Sequence, residues 1–210
     1  MTRDELAALV QTNLNDSGIF TTPEEVQDAI QDGYEDLTVT HGLLPKAVAI
    51  NETANRVFYD LVTLIPDFVA LRGIYRASTK YWLVSRDIRW MQYQRDDWEL
   101  QTGSSTDFWV ANYRRVALFP HATVSTASNL WVFYYANAPT LLGSSDLNIP
   151  VDSGFRALEN YATSVLLTKA EEWTKAEIYE KQFNEDAEEC KTFRNRLILP
   201  DYVNGLRGSW

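Results

Sequence analysis

Cysteine is almost missing from this sequence. Cys190 stands alone, which excludes an intrachain disulfide and any cysteine-rich metal centre. Basic runs are missing too. Nineteen Lys and Arg face 29 Asp and Glu, a formal charge of −10 at pH 7. The densest basic clusters, Arg86/Arg89/Arg95 and Arg114-Arg115, are interrupted by acidic or apolar residues. A grip on nucleic acid needs clustered Lys and Arg against phosphates, so that class is disfavoured. No apolar run approaches the ~20 residues of a membrane-spanning helix. The opening Met1-Thr2-Arg3-Asp4-Glu5 carries no apolar h-region. The expectation is a protein without membrane contact, made and kept in a reducing cytoplasm unless it leaves inside a particle. Asn51-Glu52-Thr53 matches a glycosylation sequon, a chance match where no secretory signal precedes it.

Signatures of chemistry are equally scarce. The sequence has no phosphate-cradling glycine loop, no zincin His-Glu pattern and no Gly-x-Ser-x-Gly elbow. His41 and His121 each lack a carboxylate or second histidine at ligand spacing. His41 reads as a helix-end residue, where the dipole favours an imidazolium. Cys190 falls in an apolar stripe and reads as a core thiol. Asp96-Asp97 and Glu171-Glu172 are adjacent acids that point in different directions on a helix, so they read as solvated. We expect no catalytic residue, no metal and no cofactor, and therefore no enzyme.

What is present is apolar and aromatic. Hydrophobic residues make up 45% of the 210, with seven Trp, eleven Tyr and nine Phe. That suffices for one domain, or a core with an inserted subdomain. Aromatics bury much area each and are favoured at protein contacts. Helical signals sit at both ends. Thr2 with Glu5 forms a capping box before Leu6, Leu9, Val10 and Leu14. Thr22, Pro23 and Glu25 open a second helix, with Val26, Ala29, Ile30, Gly33, Tyr34 and Leu37 on its apolar face. Near the other end, Pro150 closes an extended run and Asp152 or Ser153 caps a helix. Its apolar residues fall at 155, 158, 161, 162, 165 and 166. After a break near Lys169–Glu172 comes a second stripe: Trp173, Ala176, Tyr179, Phe183, Ala187, Cys190, Phe193 and Leu197. These two helices form an antiparallel pair.

Between the helical ends the period changes from 3.6 to 2. Ala47–Ile50, Arg56–Thr63, Phe68–Tyr75, Tyr81–Val84, Phe108–Ala111, Arg115–Phe119 and Leu130–Ala136 read as strands. Ser85 is placed as the cap of a short helix carrying Ile88, Met91 and Trp90. The fold class expected is α+β: an antiparallel helical bundle formed by N- and C-terminal helices, an inserted small antiparallel β-sandwich or barrel, and an extended C-terminal tail. The divisions are 1–42 for the N-terminal helices, 43–143 for the β-rich subdomain, 144–199 for the C-terminal helices and 200–210 for the tail. Tyr81-Trp82, Phe108-Trp109 and Trp131 are also candidates for stacking on sugars, so a carbohydrate-binding module is an alternative.

The C-terminal pattern resembles that of tailed-phage head-to-tail adaptor (connector) proteins. It has a proline before a helix start, a Leu/Tyr/Ala stripe, a short acidic break, then Ala176, Tyr179 and Phe183. Leu64-Ile65-Pro66-Asp67-Phe68 before a β-like run looks like another element of that family. The resemblance implies a structural virion protein at the portal vertex, made in the host bacterial cytoplasm. It implies a ring of about twelve copies, closed by heterologous contacts, between portal and tail. The partners implied are the portal protein, a tail or nozzle protein and neighbouring copies, with DNA only passing through the channel. Neck or tail-completion protein is the neighbouring alternative. In that family the C-terminal segment reaches onto the portal, which makes Tyr202, Val203, Leu206 and Trp210 the candidate partner-binding residues. Burying Tyr202, Leu206 and Trp210 would contribute roughly 1.5–3 kcal/mol each before ordering costs.

Overall fold

The computed structural model describes residues 1–94, 97–111, 114–141, 147, 149 and 152–198. The protein is α+β, with six α-helices and two four-stranded sheets among the described residues. The chain divides into a helical unit, Met1–Leu44 with Asn137–Trp210, and a contiguous β unit, Pro45–Ala136.

The helical unit contains α1 (Arg3–Asp16), α2 (Pro23–His41), α5 (Asp152–Lys169) and α6 (Trp173–Ile198). Both N-terminal capping boxes form. Thr2 and Thr22 accept from the Glu5 and Glu25 amides at 3.2 Å each, and the two glutamates accept from the threonine amides. α2 ends where Gly42 adopts φ 61°, a left-handed conformation that glycine takes without a Cβ clash. Helix α5 packs against α1, α2 and α6. Leu6, Val10, Leu14, Ile30, Tyr34, Leu37, Leu158 and Leu167 are sealed from solvent between them. Gly33 is a point of close approach: a Cβ there would lie 2.7 Å from Tyr161 Cδ1. Arg156 ties α5 to α6 through Asp186 at 3.1 Å and Glu189 at 2.9 Å. Glu171, at φ 63°, turns the chain between those two helices.

Several expectations for these helices change. Asp152 and Ser153 lie inside the first turn of α5 rather than capping it. Val165 and Trp173 are exposed, while Leu167 is buried. A stripe read from spacing alone fixes the period of a helix, but the side buried depends on where its neighbours pack. Ala176, Phe183, Ala187 and Cys190 do face inward. The side chains of Phe193 and Leu197, and the candidate tail residues Tyr202, Val203, Leu206 and Trp210, lie outside the described residues.

In the β unit the first sheet has the order β1-β8-β3-β4, with β1 Pro45–Glu52, β3 Phe68–Arg76, β4 Tyr81–Trp82 and β8 Thr126–Ala136. The second runs β2-β7-β6-β5, with β2 Phe58–Asp60, β5 Val84–Arg86, β6 Asp107–Ala111 and β7 Arg115–Phe119. Both sheets are open, and no closed barrel forms among the described residues. The pairing is not wholly antiparallel, because β5 runs parallel to β6. The expected strand Tyr81–Val84 is split between the sheets: the Leu83 amide bonds Ile74, and the Val84 amide bonds Thr106. The expected strand Arg56–Thr63 is also shortened. Asp60 accepts from the Thr63 amide at 3.4 Å and winds Leu61–Leu64 into a helical turn, α3. Ser85 lies in β5, and Asp87 instead accepts from the Trp90 amide at 2.7 Å at the start of α4, Ile88–Gln94.

A buried carboxylate joins the two sheets. Glu52, fully buried at the end of β1, accepts from Arg76 Nε at 2.9 Å, Ser105 Oγ at 2.8 Å and Asn129 Nδ2. Arg76 and Asn129 belong to β3 and β8, while Ser105 leads into β6 of the other sheet. Nearby, Tyr59 of β2 accepts from the Thr53 amide at 2.8 Å. Removing the carboxylate strands the Arg76 guanidinium in a dry site. Glu52→Ala is therefore expected to lower the unfolding free energy by about 3–5 kcal/mol in a urea titration. A loss under ~1 kcal/mol, typical of exposed ion pairs, would contradict this role.

Candidate interaction surfaces

Antiparallel register places directly opposed side chains on one face of a sheet. Across the first sheet, Ala49 opposes Trp131, Trp131 opposes Tyr75 and Tyr75 opposes Trp82. The next row sets Ala47 and Gly73 on either side of Phe133. With no Cβ at Gly73, the Trp82 ring lies over that position and reaches Phe133 at 4.7 Å between centroids. Trp82 also meets Tyr75 edge-on at 5.7 Å. Trp131 stays 40% exposed and Trp82 36%, so the row forms an aromatic face open to solvent. The register shifts between Leu71 and Gly73, a bulge that re-aims Arg72 over the Tyr135 ring at 5.3 Å. The Arg72 Nε is buried and finds no acceptor among the described residues.

On the second sheet, α4 and the 3-10 turn Trp98–Leu100 cover one face. Met91, Trp98 and Ala117 form its core. Beside them opens a cleft of ≈ 420 Å³, lined by Phe58, Ile88, Gln92, Trp98, Glu99, Trp109 and Arg115. Trp98 meets Trp109 and Phe58 edge-on at 6.4 Å each. Its walls are largely aromatic, with Gln92, Glu99 and Arg115 as polar groups.

The stacking candidates from the sequence are thus separated. Trp82 and Trp131 share the open face of one sheet, and Trp109 lines the cleft on the other. Tyr81 pairs with Arg76 on the opposite side from Trp82. Phe108 is buried at 4% and belongs to the core. Arg72 was absent from the sequence expectation, because a bulge leaves no signature in the alternation of residue types.

Charge divides sharply between the units. The helical unit carries 21 acidic and 9 basic residues, a formal −12, and the β unit 8 and 10, a formal +2. Half of the excess lies on α2, where Glu24, Glu25, Asp28, Asp32, Glu35 and Asp36 have no Lys or Arg among them. On α6, whose acidic and basic residues nearly balance, Glu177, Glu180, Lys181, Asn184, Glu185 and Glu188 line a shallow groove. Trp173 and Ile178 are exposed on the same helix, at 64% and 56%.

Of the residues considered for chemistry, His41 and Cys190 belong to the helical unit and His121 to the β unit, while Asp96 lies outside the described residues. His41 ends α2 with its ring edge-on to Phe183 at 6.5 Å, and buried His121 sits in the loop after β7. No group of three or more His, Cys, Asp or Glu that could hold a metal occurs among the described residues. Burial pushes the Cys190 thiol above its ordinary value, only partly offset by Ser153 Oγ at 3.5 Å. That keeps it protonated and a weak nucleophile. No helix is long and apolar enough to cross a membrane among the described residues. No protein-family model matches the chain, and no curated protein matches it either.

Two tyrosines report on the packing of the two units. Burial pushes the Tyr34 hydroxyl, which has no hydrogen-bond partner among the described residues, from 10.0 to about 12. Burial, and then its 2.9 Å bond to Asp67, raise Tyr134 from 10.0 to about 12. Burial acts to raise Asp67, but its bonds from Lys46 at 2.6 Å and Tyr134 outweigh that and hold it below its ordinary value. A raised tyrosine pKa contributes stability that is intact below pH 10 and lost as pH rises through about 12. Ultraviolet titration should therefore show Tyr34 and Tyr134 ionising late, with stability falling between those values. Ionisation of both with the exposed tyrosines would contradict their burial.

Proposed function

We propose that this chain is a structural protein of a tailed-phage virion, a head-to-tail adaptor that assembles as a ring between portal and tail. The observation carrying the reading is the interrupted layout: a helical unit made from both ends of the chain, with a contiguous β unit between them. The segments resembling the adaptor family take defined places in it. Leu64-Ile65-Pro66-Asp67-Phe68 runs from α3 into β3, and Ala176 and Phe183 lie on the buried side of α6. In this reading the four long helices form an antiparallel bundle and the two sheets a sandwich. The mechanism is geometric: copies meet through unlike surfaces, the closing rotation sets their number, and DNA passes through the channel without specific binding. The portal, a tail or nozzle protein and neighbouring copies are the partners, and Tyr202, Val203, Leu206 and Trp210 supply the portal contact.

The first test is the copy number of this polypeptide in purified virions, measured by quantitative mass spectrometry against the capsid protein. About a dozen copies per particle are expected for a ring at one vertex. Several hundred would point to the capsid surface, and none would remove the structural reading.

Exposure of Trp82 and Trp131 on one sheet face favours a second reading, a carbohydrate-binding module. Against it, the Trp82 ring is tilted 42° to Phe133 and 65° to Tyr75, so these rings offer no common plane. Glycan-array binding that disappears in Trp131→Ala would favour this reading over the first.

A further inference from the structure

We propose that the open edge of β1 pairs with the β1 edge of a second copy of this chain. The two strands run antiparallel about a two-fold axis and join two four-stranded sheets into one of eight. The contact belongs to the free chain and rests on neither reading above.

Four strands lie at the open edges of the two sheets, and only β1 is long. It spans eight residues, whereas β2 and β5 have three each and β4 has two. Among the described residues β1 takes its backbone partners from β8 alone. Alternate residues therefore turn their N–H and C=O groups outward, a template for a further strand. Such edges are ordinarily guarded by charge, proline or a bulge. Here Pro45 and Lys46 stand at one end, and the register shift comes only after Ile50. The Lys46 ammonium is drawn across β8 to Asp67 at 2.6 Å, away from the open side. The centre, Ala47-Val48-Ala49-Ile50, carries no charge.

The side chains select a second β1 as the occupant. Val48 and Ile50 face inward beside buried Val132 and Leu130, yet stay half-buried with no strand beyond them. Ala47 and Ala49 lie on the aromatic face, beside Phe133 and Trp131. The fitting strand is thus uncharged, small on the face where those rings stand, and β-branched on the inner one. β1 is itself such a strand, and the other open edges are too short to supply five residues. An axis normal to the sheet keeps both aromatic faces on the same side. With the axis at Ala49, that residue meets the partner's Ala49, Val48 the partner's Ile50, and Ala47 the partner's Asn51. Both half-buried β-branched side chains then gain a cross-strand neighbour. The contact is isologous and closes at two copies.

A charge placed on the axis faces its own copy, which makes position 49 the test. Ala49→Lys opposes two ammonium groups across the strands, and Ala49→Glu two carboxylates. Sedimentation velocity of the full chain over a concentration series should show a wild-type monomer–dimer equilibrium. Either variant alone should weaken it about tenfold or more. An equimolar mixture of the two should recover the dimer, because opposite charges then meet. Circular dichroism establishes that both variants fold. Hydrogen exchange on the wild-type chain needs no variant: backbone amides within residues 47–51 should gain protection as concentration rises.

A wild-type chain that stays monomeric at every soluble concentration would overturn the contact. So would association that neither variant weakens, or a mixture that associates no better than each variant alone. Dimers without added protection at residues 47–51 would do the same. None of these results touches the virion copy number, so this contact and the adaptor reading fail separately.

Discussion

A single carboxylate sets the terms for the β unit. An ion as buried as Glu52 is costly to desolvate unless its lone pairs are occupied and its charge is matched. Here Arg76, Ser105 and Asn129 do both, and they come from β3, the segment before β6, and β8. Asn129 also uses its carbonyl oxygen and backbone oxygen to hold the Ser78 and Ala77 amides at 2.8 Å each. The turn between β3 and β4 is thus tied to the same network. That turn positions Trp82, and Trp82 completes the open aromatic row. A polar constraint inside the unit therefore governs the placement of an apolar surface outside it.

The helical unit follows a different logic. Its helices start on locally specified capping boxes and bury aliphatic side chains around α5, with its ion pairs near the surface. Exposed pairs of that kind contribute little each. Acidic residues accumulate on α2 without disturbing the core: Glu24, Glu25, Asp28, Asp32, Glu35 and Asp36 all lie outside the buried set and have no Lys or Arg among them. Stability and surface character are thus set by separate residues in this unit, whereas in the β unit they are coupled.

Local chemistry was legible in the sequence. The capping boxes, the helix end at His41, the break between α5 and α6 and the strand Arg115–Phe119 all appear where residue types placed them. Each is fixed by neighbours within about one turn or by simple alternation. What required distant partners was not legible. Val62 and Thr63 are β-branched and read as strand, but Asp60 winds them into a helical turn. The parallel pairing of β5 with β6 depends on the chain crossing between sheets at Leu83. Glu52 drew notice only as part of a glycosylation sequon. Its position after the apolar alternation of Val48 and Ile50 was the available signal that an acid points inward. The open face was half visible, as a list of tryptophans. Only register separates Trp82 and Trp131, which share it, from Tyr81 and Phe108, which do not.

The insertion of the β unit between the helices has a consequence for the order of events during synthesis. Pro45–Ala136 is contiguous, so all its strands have left the ribosome before α5 emerges. At about 5–20 residues per second, translating those residues takes several seconds, long compared with the folding of a small domain. α1 and α2 wait through that interval with Leu6, Val10, Ile30 and Leu37 lacking the α5 surface that later covers them. The early helices are held in reserve, and the last helices to be made close the unit that the first ones began.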